Sequence, residues 1–399
     1  MNIAFVNPEY PSISGQDQGG IATYTYSMAN ACSQFEHRVH VLVKNGTKCR
    51  QLDSCVKVHE YYPEPLKNPG RWVKHFVNGD IYWERCYSNG LRNKLLEITL
   101  KEKLDIVEIP EYNGLACELV RPIPFPIVIH FHTPTIIVDF FNHKKTTYRQ
   151  KQWHSFEKKA LSKASAYRCP SIALSDKLSK IYNIPNKRIS IIRHPFNTES
   201  FDKIDKKHDS ANIDILFVGR LERRKGAEIL LTSIHDILGI DSRIRFTLAG
   251  EHSTGEMGNY HDAIERSLTE NERKKIYFLG PVKREDIQVL YCRSSILFFP
   301  SIFENLPYTL LEAMASGLPV VAARSSGITE IIRHGENGML FNPDNRSEII
   351  ESIGTIINNP NLSASLSKNG YNTVKNDFNP EKSAQNSIAF FLDTIEKFK

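Results

Sequence analysis

One order of predicted elements occurs twice along the chain, and this repeat constrains the fold more than any other feature. Residues 2–44 are predicted to form a strand, a glycine-rich loop, a helix and a second strand. Residues 214–250 follow the same order, with a basic loop in place of the glycine-rich one. Further strands alternate with helices in both halves, as is typical of parallel sheets with crossover helices. The chain is therefore predicted to be α/β, with two doubly wound domains.

The boundary between these domains is predicted near residue 205, where hydrophobic periodicity fades and charge rises. The first domain is expected to span residues 1–205 and the second residues 206–380. Residues 381–399 belong to an amphipathic helix that is expected to cross back to the first domain. Two domains also suit a length of 399 residues, because single hydrophobic cores stop growing beyond about 250–300 residues.

Composition and cysteine usage indicate a cytoplasmic protein. No apolar run approaches the roughly 18 residues of a membrane span, and the N-terminus lacks the pattern of a signal peptide. The seven cysteines are scattered, with no Cys-x-x-Cys pair. They are predicted to be reduced thiols rather than disulfides or zinc ligands.

A basic stretch between Phe141 and Arg168 carries eight lysines and arginines against one acid, Glu157, with four aromatic residues interleaved. Three interpretations remain open: a solvated helix face, a surface for anionic lipid headgroups or a phosphate-bearing acceptor, and a nucleic-acid surface. The last comes third, because no recognised reader motif accompanies the charge. Under the lipid interpretation the protein would sit at the inner face of the membrane.

Ligands of open parallel sheets bind beyond the carboxyl ends of the strands, so the loops that follow strands are the candidate sites. Residues 219–226, "GRLERRKG", place three arginines and Lys225 before a helix, where an anion such as phosphate is favoured. Gly15, Gly19 and Gly20 precede a helix in the first half. Neither loop is a P-loop or a G-x-G-x-x-G fingerprint.

Two glutamates bracket a third candidate loop. Glu304 precedes a helix predicted over Tyr308–Ser316, with Pro307 in its first turn and Gly317 after its end. Glu312 lies about two turns into that helix, and the apolar run that follows is predicted to be a buried strand. One carboxylate therefore lies at an anion-attracting helix start and the other lies further along.

Two histidines end a predicted strand in the first half. His130 and His132 share one face of this strand, because strand side chains repeat every two residues. His132 is predicted to be a site residue, and His130 is predicted to pack in the core. No metal site is predicted, because no carboxylate or third histidine stands nearby in sequence and the chain contains no D-x-D string.

The second half contains Glu304 and Glu312 with seven residues between them, then "AMASGLPVVA", "GITEII" and "GENGMLF". With the early "GG", "VGRLERRKG" and "FFPSIFEN" in the same order, the chain resembles the retaining glycosyltransferases of family 4. The resemblance covers most of the chain and is more specific in the second half. It implies a GT-B fold, with two Rossmann-like domains facing a central cleft, and a nucleotide-diphosphate-sugar donor. It also implies metal-independent transfer with retention and no cofactor.

The resemblance implies a role for each matching residue. Arg220 and Lys225 would bind the donor diphosphate, Glu304 would lie near the transferred sugar, and His132 would lie beside the reacting sugar. Glu312 would accept from both ribose hydroxyls. The implied donor-binding positions are Gly19, Gly20, Val282, Asn305, Leu306, Tyr308, Thr309 and Glu312. The sequence departs from the family at Pro307, which contributes no N–H to the phosphate, and at "RHPFN", where many members have an Asn-Pro or Asn-Gly turn.

The expected activity is transfer of a sugar from a UDP- or GDP-sugar to a hydroxyl of a glycan, glycolipid or other acceptor, as in surface polysaccharide synthesis. Two alternatives remain open. One is a nucleotide-sugar epimerase or a phosphorylase on the same architecture. The other is a non-catalytic protein that binds membranes or polyanions through the basic stretch.

Overall fold

The computed structural model describes residues 1–7, 19–45, 55–66, 79–119, 123–162, 164–199, 201, 211–251, 254–255 and 258–399. The chain divides into two compact units. The first unit comprises Met1–Ile137, Lys145–Pro195 and Pro380–Lys399, and the second comprises Val138–Lys144 and Phe196–Asn379. The boundary predicted near residue 205 and the glycine at position 15 lie outside the described residues, and the predicted domain limits stay predictions.

The first unit is built on a seven-stranded parallel sheet. Its strands are β1 Asn2–Val6, β2 Arg38–Lys44, β3 Val56–Tyr61, β4 Ile106–Pro110, β5 Ile127–His130, β6 Ala166–Cys169 and β7 Ile189–Ile191. They lie in the order β3-β2-β1-β4-β5-β6-β7, and each neighbouring pair is parallel. The strand order reverses between β1 and β4, which is the kind of position where doubly wound sheets bind ligands.

The second unit has a six-stranded parallel sheet and a short hairpin. Its strands are β8 Ile213–Val218, β9 Ile244–Ala249, the hairpin strands β10 Thr254–Gly255 and β11 Gly258–Asn259, β12 Ile276–Gly280, β13 Ile296–Phe299, β14 Val320–Ala323 and β15 Met339–Phe341. The sheet order is β12-β9-β8-β13-β14-β15, and all its neighbouring pairs are parallel. Here the order reverses between β8 and β13.

The helices follow the crossover pattern. They are α1 Gly20–Ser33, α2 Gly79–Lys101, α3 Thr135–Phe141, α4 Tyr148–Leu161, α5 Ile172–Tyr182, α6 Ala227–Ile240, α7 Tyr260–Ser267, α8 Glu270–Arg273, α9 Arg284–Arg293, α10 Tyr308–Ala315, α11 Arg346–Asn358, α12 Pro360–Asp377 and α13 Pro380–Phe398. Short 3₁₀ turns cover Tyr112–Gly114, Asn186–Arg188, Arg223–Lys225 and Ser326–Glu330.

The sheet of the second unit is buried on both faces. Ile215 and Phe217 of β8 belong to one apolar cluster, while Leu216 and Val218 belong to another. This alternation is expected, because successive strand residues point to opposite faces. Since helices cover both faces, the strands read as continuous apolar runs, and this is why the sequence pattern could locate β8.

The last helix, α13, belongs to the first unit, where it lies against α1. Phe391 of α13 packs near Phe5 of β1, with ring centroids 6.2 Å apart. Ser387 of the same helix accepts a hydrogen bond from Arg168 of β6 at 3.1 Å. The chain therefore returns to the first unit after completing the second.

The predicted α/β class with two Rossmann-like units is confirmed, but four strands of the two parallel sheets and the short β10–β11 hairpin were not predicted. β3 is half exposed and carries Lys57, His59 and Glu60 among its six residues. β7 and β15 have three residues each, and β6 contains Arg168 at its centre. Charge within a strand and very short length both weaken the hydrophobic pattern on which the prediction relied.

Candidate functional site

The loop between β13 and α10 carries Glu304. The predicted helix is present, but it is one residue shorter at its end than predicted, and Pro307 precedes its first turn. Pro307 is the N-cap of α10, in an extended conformation, and Tyr308 is the first helical residue. The helix ends at Ala315, and Gly317 follows with a φ of +65°. Such a φ favours glycine, which has no Cβ to clash. Glu304 is therefore held close to a helix start and is itself only 7% exposed.

A glycine fixes the backbone of this loop from the other side. The N–H of Gly327 donates to the carbonyl of Glu304 at 2.9 Å. A Cβ at position 327 would lie 1.8 Å from the carbonyl oxygen of Asn305, so a larger residue could not occupy it without moving the loop. The "GITE" segment therefore holds the loop that presents Glu304.

The basic loop after β8 brings a lysine to the same carboxylate. Gly226 ends the 3₁₀ turn Arg223–Lys225 with a φ of +83° and caps α6. A Cβ there would lie 2.1 Å from the carbonyl oxygen of Pro300, so this loop packs tightly on the end of β13. As a result, Lys225 Nζ donates to Glu304 Oε1 at 2.5 Å.

Arg224 extends this contact into a chain of buried charges. Its guanidinium donates to Glu222 Oε1 at 2.8 Å and lies 3.4 Å from Glu304 Oε1. Arg220 also faces Glu222, at 3.5 Å, but its side chain is 52% exposed. Arg224 Nε is buried and has no hydrogen-bond partner within the described ranges. Buried Arg224 and half-buried Lys225 are thus balanced by two buried carboxylates, and a third cation, Arg220, is accessible.

Burial and charge act in opposite directions on the Lys225–Glu304 pair. Burial tends to raise the pKa of Glu304, but Lys225 and Arg224 outweigh it, so this pKa lies below its usual value. Burial lowers the pKa of Lys225, and Glu304 opposes that shift. We assign the pair as ionised, because two cations lie within 3.4 Å of the same carboxylate. A dianionic ligand would favour the protonated lysine further.

Residues from the first half of the sequence complete this site. Residues 138–144 belong to the second unit, and the amide oxygen of Asn142 accepts from the backbone N–H of Arg224 at 2.9 Å. The carbonyl of Phe141 accepts from Arg223 at 3.1 Å. The Phe141 ring stacks on Phe303 with centroids 4.6 Å apart. This short segment fixes the basic loop from one side.

Glu312 lies on α10 and contacts a tyrosine of α9. Its carboxylate accepts from the hydroxyl of Tyr291, on α9, at 3.1 Å, and it is partly exposed on α10. Asn305 and Leu306 are buried in the loop. Tyr308 and Thr309 are half-buried in the first turn of α10, and Val282 is half-buried after β12. These predicted donor-binding residues thus follow the ends of β12 and β13.

In the first unit, His132 lies just beyond the end of β5 and is almost fully buried. Its backbone N–H donates to Glu111 Oε2 at 2.9 Å. Burial lowers the pKa of His132 well below its usual value, so the ring is neutral at pH 7. Burial raises the pKa of Glu111 to about 8, although the hydrogen bond from His132 opposes that shift. Both side chains are therefore held uncharged near neutral pH.

Glu108 is the centre of a buried network beside His132. Its carboxylate accepts from Tyr24 at 2.6 Å and from Arg168 at 3.0 Å. His130 Nδ1 lies 3.0 Å from the same carboxylate, and His130 Nε2 lies 3.1 Å from His194 Nε2. His130 is therefore more than a packing residue, because it links Glu108 to a histidine 64 positions away.

The three histidines also form a cluster with metal-binding capacity, which the sequence argument did not foresee. One ring nitrogen each of His130, His132 and His194 lies within 4.8 Å of the others. Burial lowers the pKa of all three, and neutral imidazole is the form that binds metals. The prediction assumed that a third histidine must be near in sequence, whereas β5 and the segment after β7 bring His194 in from a distance.

Gly19 and Gly20 begin α1, and both are exposed. Gly19 is the N-cap, with a φ of −70°, so it does not need the conformational freedom of glycine there. The rest of the predicted glycine-rich loop lies outside the described residues. The six described cysteines form no disulfide: Cys32, Cys55, Cys86, Cys117, Cys169 and Cys292.

Sequence reasoning located Lys225, Arg220 and Glu304 but missed the residues that hold them. Arg224 was visible in the basic loop, yet nothing in its sequence position distinguishes it from its neighbours. Asn142 and Tyr291 could not be found, because each approaches the site from a distant element. Arg168 and His194 were equally out of reach, since separate strand regions bring them to Glu108.

Two parallel α/β units with polar residues beyond the ends of their strands agree with the GT-B class of glycosyltransferase folds. Residues 18–200 match the family model described as Glycosyltransferase Family 4, and residues 198–373 match the model Glycosyl transferases group 1. Together the two matches span residues 18–373, and the chain therefore belongs to glycosyltransferase family 4. The described parts of the chain contain no helix with the length and hydrophobicity of a transmembrane span.

Three similar proteins span almost the whole chain. An uncharacterized glycosyltransferase of Methanocaldococcus jannaschii is 25% identical over 409 aligned positions, covering 99% of each chain. Sucrose-phosphate synthase from Thermosynechococcus elongatus superposes with a TM-score of 0.75 at 18% identity, over 99% of each chain. Anabaena HepE, solved with UDP and glucose, has a TM-score of 0.70 at 18% identity, over 99% of this chain and 100% of its own. At these identities, the two structures support the fold.

Proposed function

We propose that this glycosyltransferase moves a sugar from a nucleotide-diphosphate-sugar to an acceptor hydroxyl, with retention at the anomeric carbon and without a metal. The observation that carries the proposal is the 2.5 Å contact between Lys225 Nζ and Glu304 Oε1. It brings an ammonium group that is only partly exposed close to the start of α10 in the second unit. A cation and a helix N-terminus together favour a diphosphate.

The neighbouring groups suit the rest of a sugar nucleotide. Arg220 is exposed enough to turn toward a second phosphate oxygen. Glu312 is the fifth residue of α10, about one turn from its start, where its carboxylate could accept from the two ribose hydroxyls. For His132, the resemblance alone supports a role beside the reacting sugar. Predicted contacts of Gly19, Gly20 and the Val282 main chain with the donor rest on the same resemblance.

The proposed reaction is a front-face transfer. The acceptor oxygen forms a bond to the anomeric carbon on the face from which the diphosphate leaves, and a phosphate oxygen takes the acceptor proton. Lys225, Arg220 and backbone amides near the start of α10 stabilise the negative charge of the departing diphosphate. Preorganised donors of this kind act most strongly where charge develops in the transition state.

We further propose a UDP- or GDP-sugar as the donor and a hydroxyl of a glycan or glycolipid as the acceptor, in surface polysaccharide synthesis. The solved HepE complex contains UDP and glucose, which supports testing UDP-glucose first. A hexosyl group is the sugar that we expect to be transferred. Under this proposal, the protein works in the cytoplasm, with the inner face of the membrane as a place of contact.

The test is a thermal-shift series with UDP, GDP, ADP and dTDP, with and without EDTA. A ligand at 100 times its Kd stabilises the folded protein by about 2.7 kcal/mol. This gain should raise the midpoint by roughly 5 °C or more for domains of this size. We expect one ribonucleotide to give this shift, dTDP to give a smaller one, and EDTA to change neither.

Two outcomes would count against the proposal. A shift that EDTA abolishes would contradict metal-free binding, and atomic emission of the purified protein would then show whether the three-histidine cluster holds a metal. No shift with any of the four nucleotides would contradict the donor site itself. Donor conversion without acceptor would indicate an epimerase, and a requirement for inorganic phosphate would indicate a phosphorylase.

A further inference from the structure

The first unit contains a cavity of about 730 Å³ that the proposed donor site does not use. One wall is a stripe of α4, and the other is formed by α2 and the segment after β4. The cavity is within the roughly 300–1,000 Å³ range of small-molecule sites. It is lined by Arg85, Glu118, Tyr148, Lys151, Ser155 and Lys159, among others.

The α4 stripe follows helical spacing. Tyr148, Lys151, Ser155 and Lys159 recur at intervals of three or four residues, so they share one face of the helix. Lys151 and Lys159 are about 12 Å apart along the helix axis. Two of the eight basic residues of the stretch singled out by the sequence, Lys151 and Lys159, thus line a cavity.

The charge of the cavity is positive and only partly compensated. Glu118 is buried and accepts from Arg85 Nε at 2.9 Å and Nη2 at 2.7 Å. The positive charge of Arg85 is therefore balanced by Glu118. Lys151 and Lys159 are exposed, and neither has a carboxylate partner in the described parts of the chain. Two lysines therefore offer their charge to a ligand, while Arg85 is fixed by Glu118.

Local contacts hold α4 in place beside the cavity. A Thr147–Gln150 capping box begins α4, and Arg149 forms an ion pair with Asp80 of α2. At the base, a Cβ on Gly114 would lie 2.6 Å from the Phe156 ring, so helix and turn are in close contact. Uncharged polar groups, including Ser155, lie between the two lysines. The site combines hydrogen-bonding groups for a polyol with two ammonium groups for an anion.

We propose that this cavity binds a phosphate-bearing polyol, with Lys151 and Lys159 as the phosphate ligands. That this polyol is the acceptor of the sugar rests on the proposed function. That the cavity binds it does not. Phosphate on a free sugar and phosphate in a lipid headgroup share this chemistry. The site fits either source, and vesicle binding distinguishes them.

The experiment is calorimetric titration of the full chain with glucose 6-phosphate, and with glucose as the uncharged comparison. Wild type should bind the phosphate ester and bind glucose at least about tenfold more weakly, because charge-assisted hydrogen bonds are among the strongest. The Lys151→Ala/Lys159→Ala variant should lose about tenfold or more in affinity. Alanine favours helix, so α4 should remain folded, which circular dichroism would check.

Lys158→Ala is the matched control, because Lys158 is exposed on the same helix but does not line the cavity. This variant should bind glucose 6-phosphate as wild type does. Equal affinity in wild type and the double variant would overturn the proposal, as would no binding by wild type. If glucose 6-phosphate still bound to the double variant, it would be binding at another site, such as the donor site around Lys225.

Sedimentation with phosphatidylcholine vesicles, with and without phosphatidic acid, tests the lipid source. Co-sedimentation only with phosphatidic acid, lost in the double variant and kept in Lys158→Ala, would support a lipid-borne phosphate. Binding of glucose 6-phosphate without vesicle binding would support a free phosphosugar. The thermal shifts with nucleotides test the donor site of the second unit independently. Failure of the proposed function and failure of the cavity proposal can therefore be told apart.

Discussion

The two units bury charge in different ways. In the first, Glu108 accepts from Tyr24 and Arg168 and lies 3.0 Å from His130, and Arg168 is fully buried. In the second, Lys225 and Arg224 share Glu304, while Arg220 stays half exposed nearby. In the first network, around Glu108, buried side chains of the protein contact the charged group. In the second network, around Glu304, the nearby cation Arg220 is accessible to solvent. Buried charge alone therefore does not mark a binding site.

The difference follows from where the charges lie along the elements. Glu108 and Arg168 are within strands β4 and β6, where neighbouring strands and α13 surround them. Lys225 and Glu304 are in loops after strands, next to the starts of α6 and α10. Loop positions leave one side open to a ligand. We therefore expect substitutions in the first network to change stability, and substitutions in the second to change binding and turnover.

Arg168→Met should have the largest effect, on stability. Removing one partner of a buried ion pair typically costs about 3–5 kcal/mol, because the other charge remains buried. Urea unfolding would measure the loss. Arg149→Met is the matched control: its pair with Asp80 is exposed, and breaking such a pair costs about 1 kcal/mol or less.

A second variant sharpens this test. Replacing both partners, Glu108→Leu with Arg168→Met, should recover part of the loss, because no uncompensated charge remains. If Arg168→Met and Arg149→Met were equally stable, the first network would not be the structural element that its burial implies.

Lys225→Ala should have the next largest effect, on turnover. Loss of one preorganised charge donor typically lowers kcat about 10²–10³-fold, while Arg224 still holds Glu304 in place. Release of nucleoside diphosphate from the donor identified by the thermal shifts would measure it. Lys274→Ala, at an exposed position of the same unit, should keep the wild-type rate. A near-normal rate for Lys225→Ala would remove this residue from the diphosphate site.

Glu312→Ala should have a smaller effect, on nucleotide affinity rather than on the chemical step. Hydrogen bonds to a charged group contribute about 1.5–3 kcal/mol, so we expect affinity to fall about tenfold or more. Wild type should also prefer UMP to dUMP, and the variant should lose that preference. Tyr291→Phe removes the hydroxyl that bonds Glu312 and should weaken binding only modestly. Equal affinity of wild type for both nucleotides would contradict the ribose contact.

The sequence predicted what depends on local pattern. The strand–loop–helix order located β8, α6 and α10, and the loops after strands located Lys225 and Glu304. It could not predict contacts that topology creates between distant segments. Asn142 joins the second unit from the first half of the chain, and Arg168 required recognition of β6, which a charged residue conceals.

The smallest expected effect is a pH dependence that separates the histidine cluster from exposed histidines. Burial lowers the pKa of His130, His132 and His194 well below the usual value. Below about pH 6.5 the unfolded chain therefore takes up protons that the folded one does not, and the free energy of unfolding falls as pH falls. Glu111, with a pKa raised to about 8 by burial, acts in the opposite direction, so variants must be compared with wild type.

His194→Asn removes one of the three titrating rings. Between about pH 5 and 6.5 its free energy of unfolding should fall less steeply than that of wild type, by up to about 1.4 kcal/mol per pH unit. His143→Asn, which removes an exposed ring, is the matched control. Urea unfolding across this range would compare the slopes. If all three proteins gave the same slope, protons would reach the buried histidines without a cost in stability, and the first network would be open to solvent like the second.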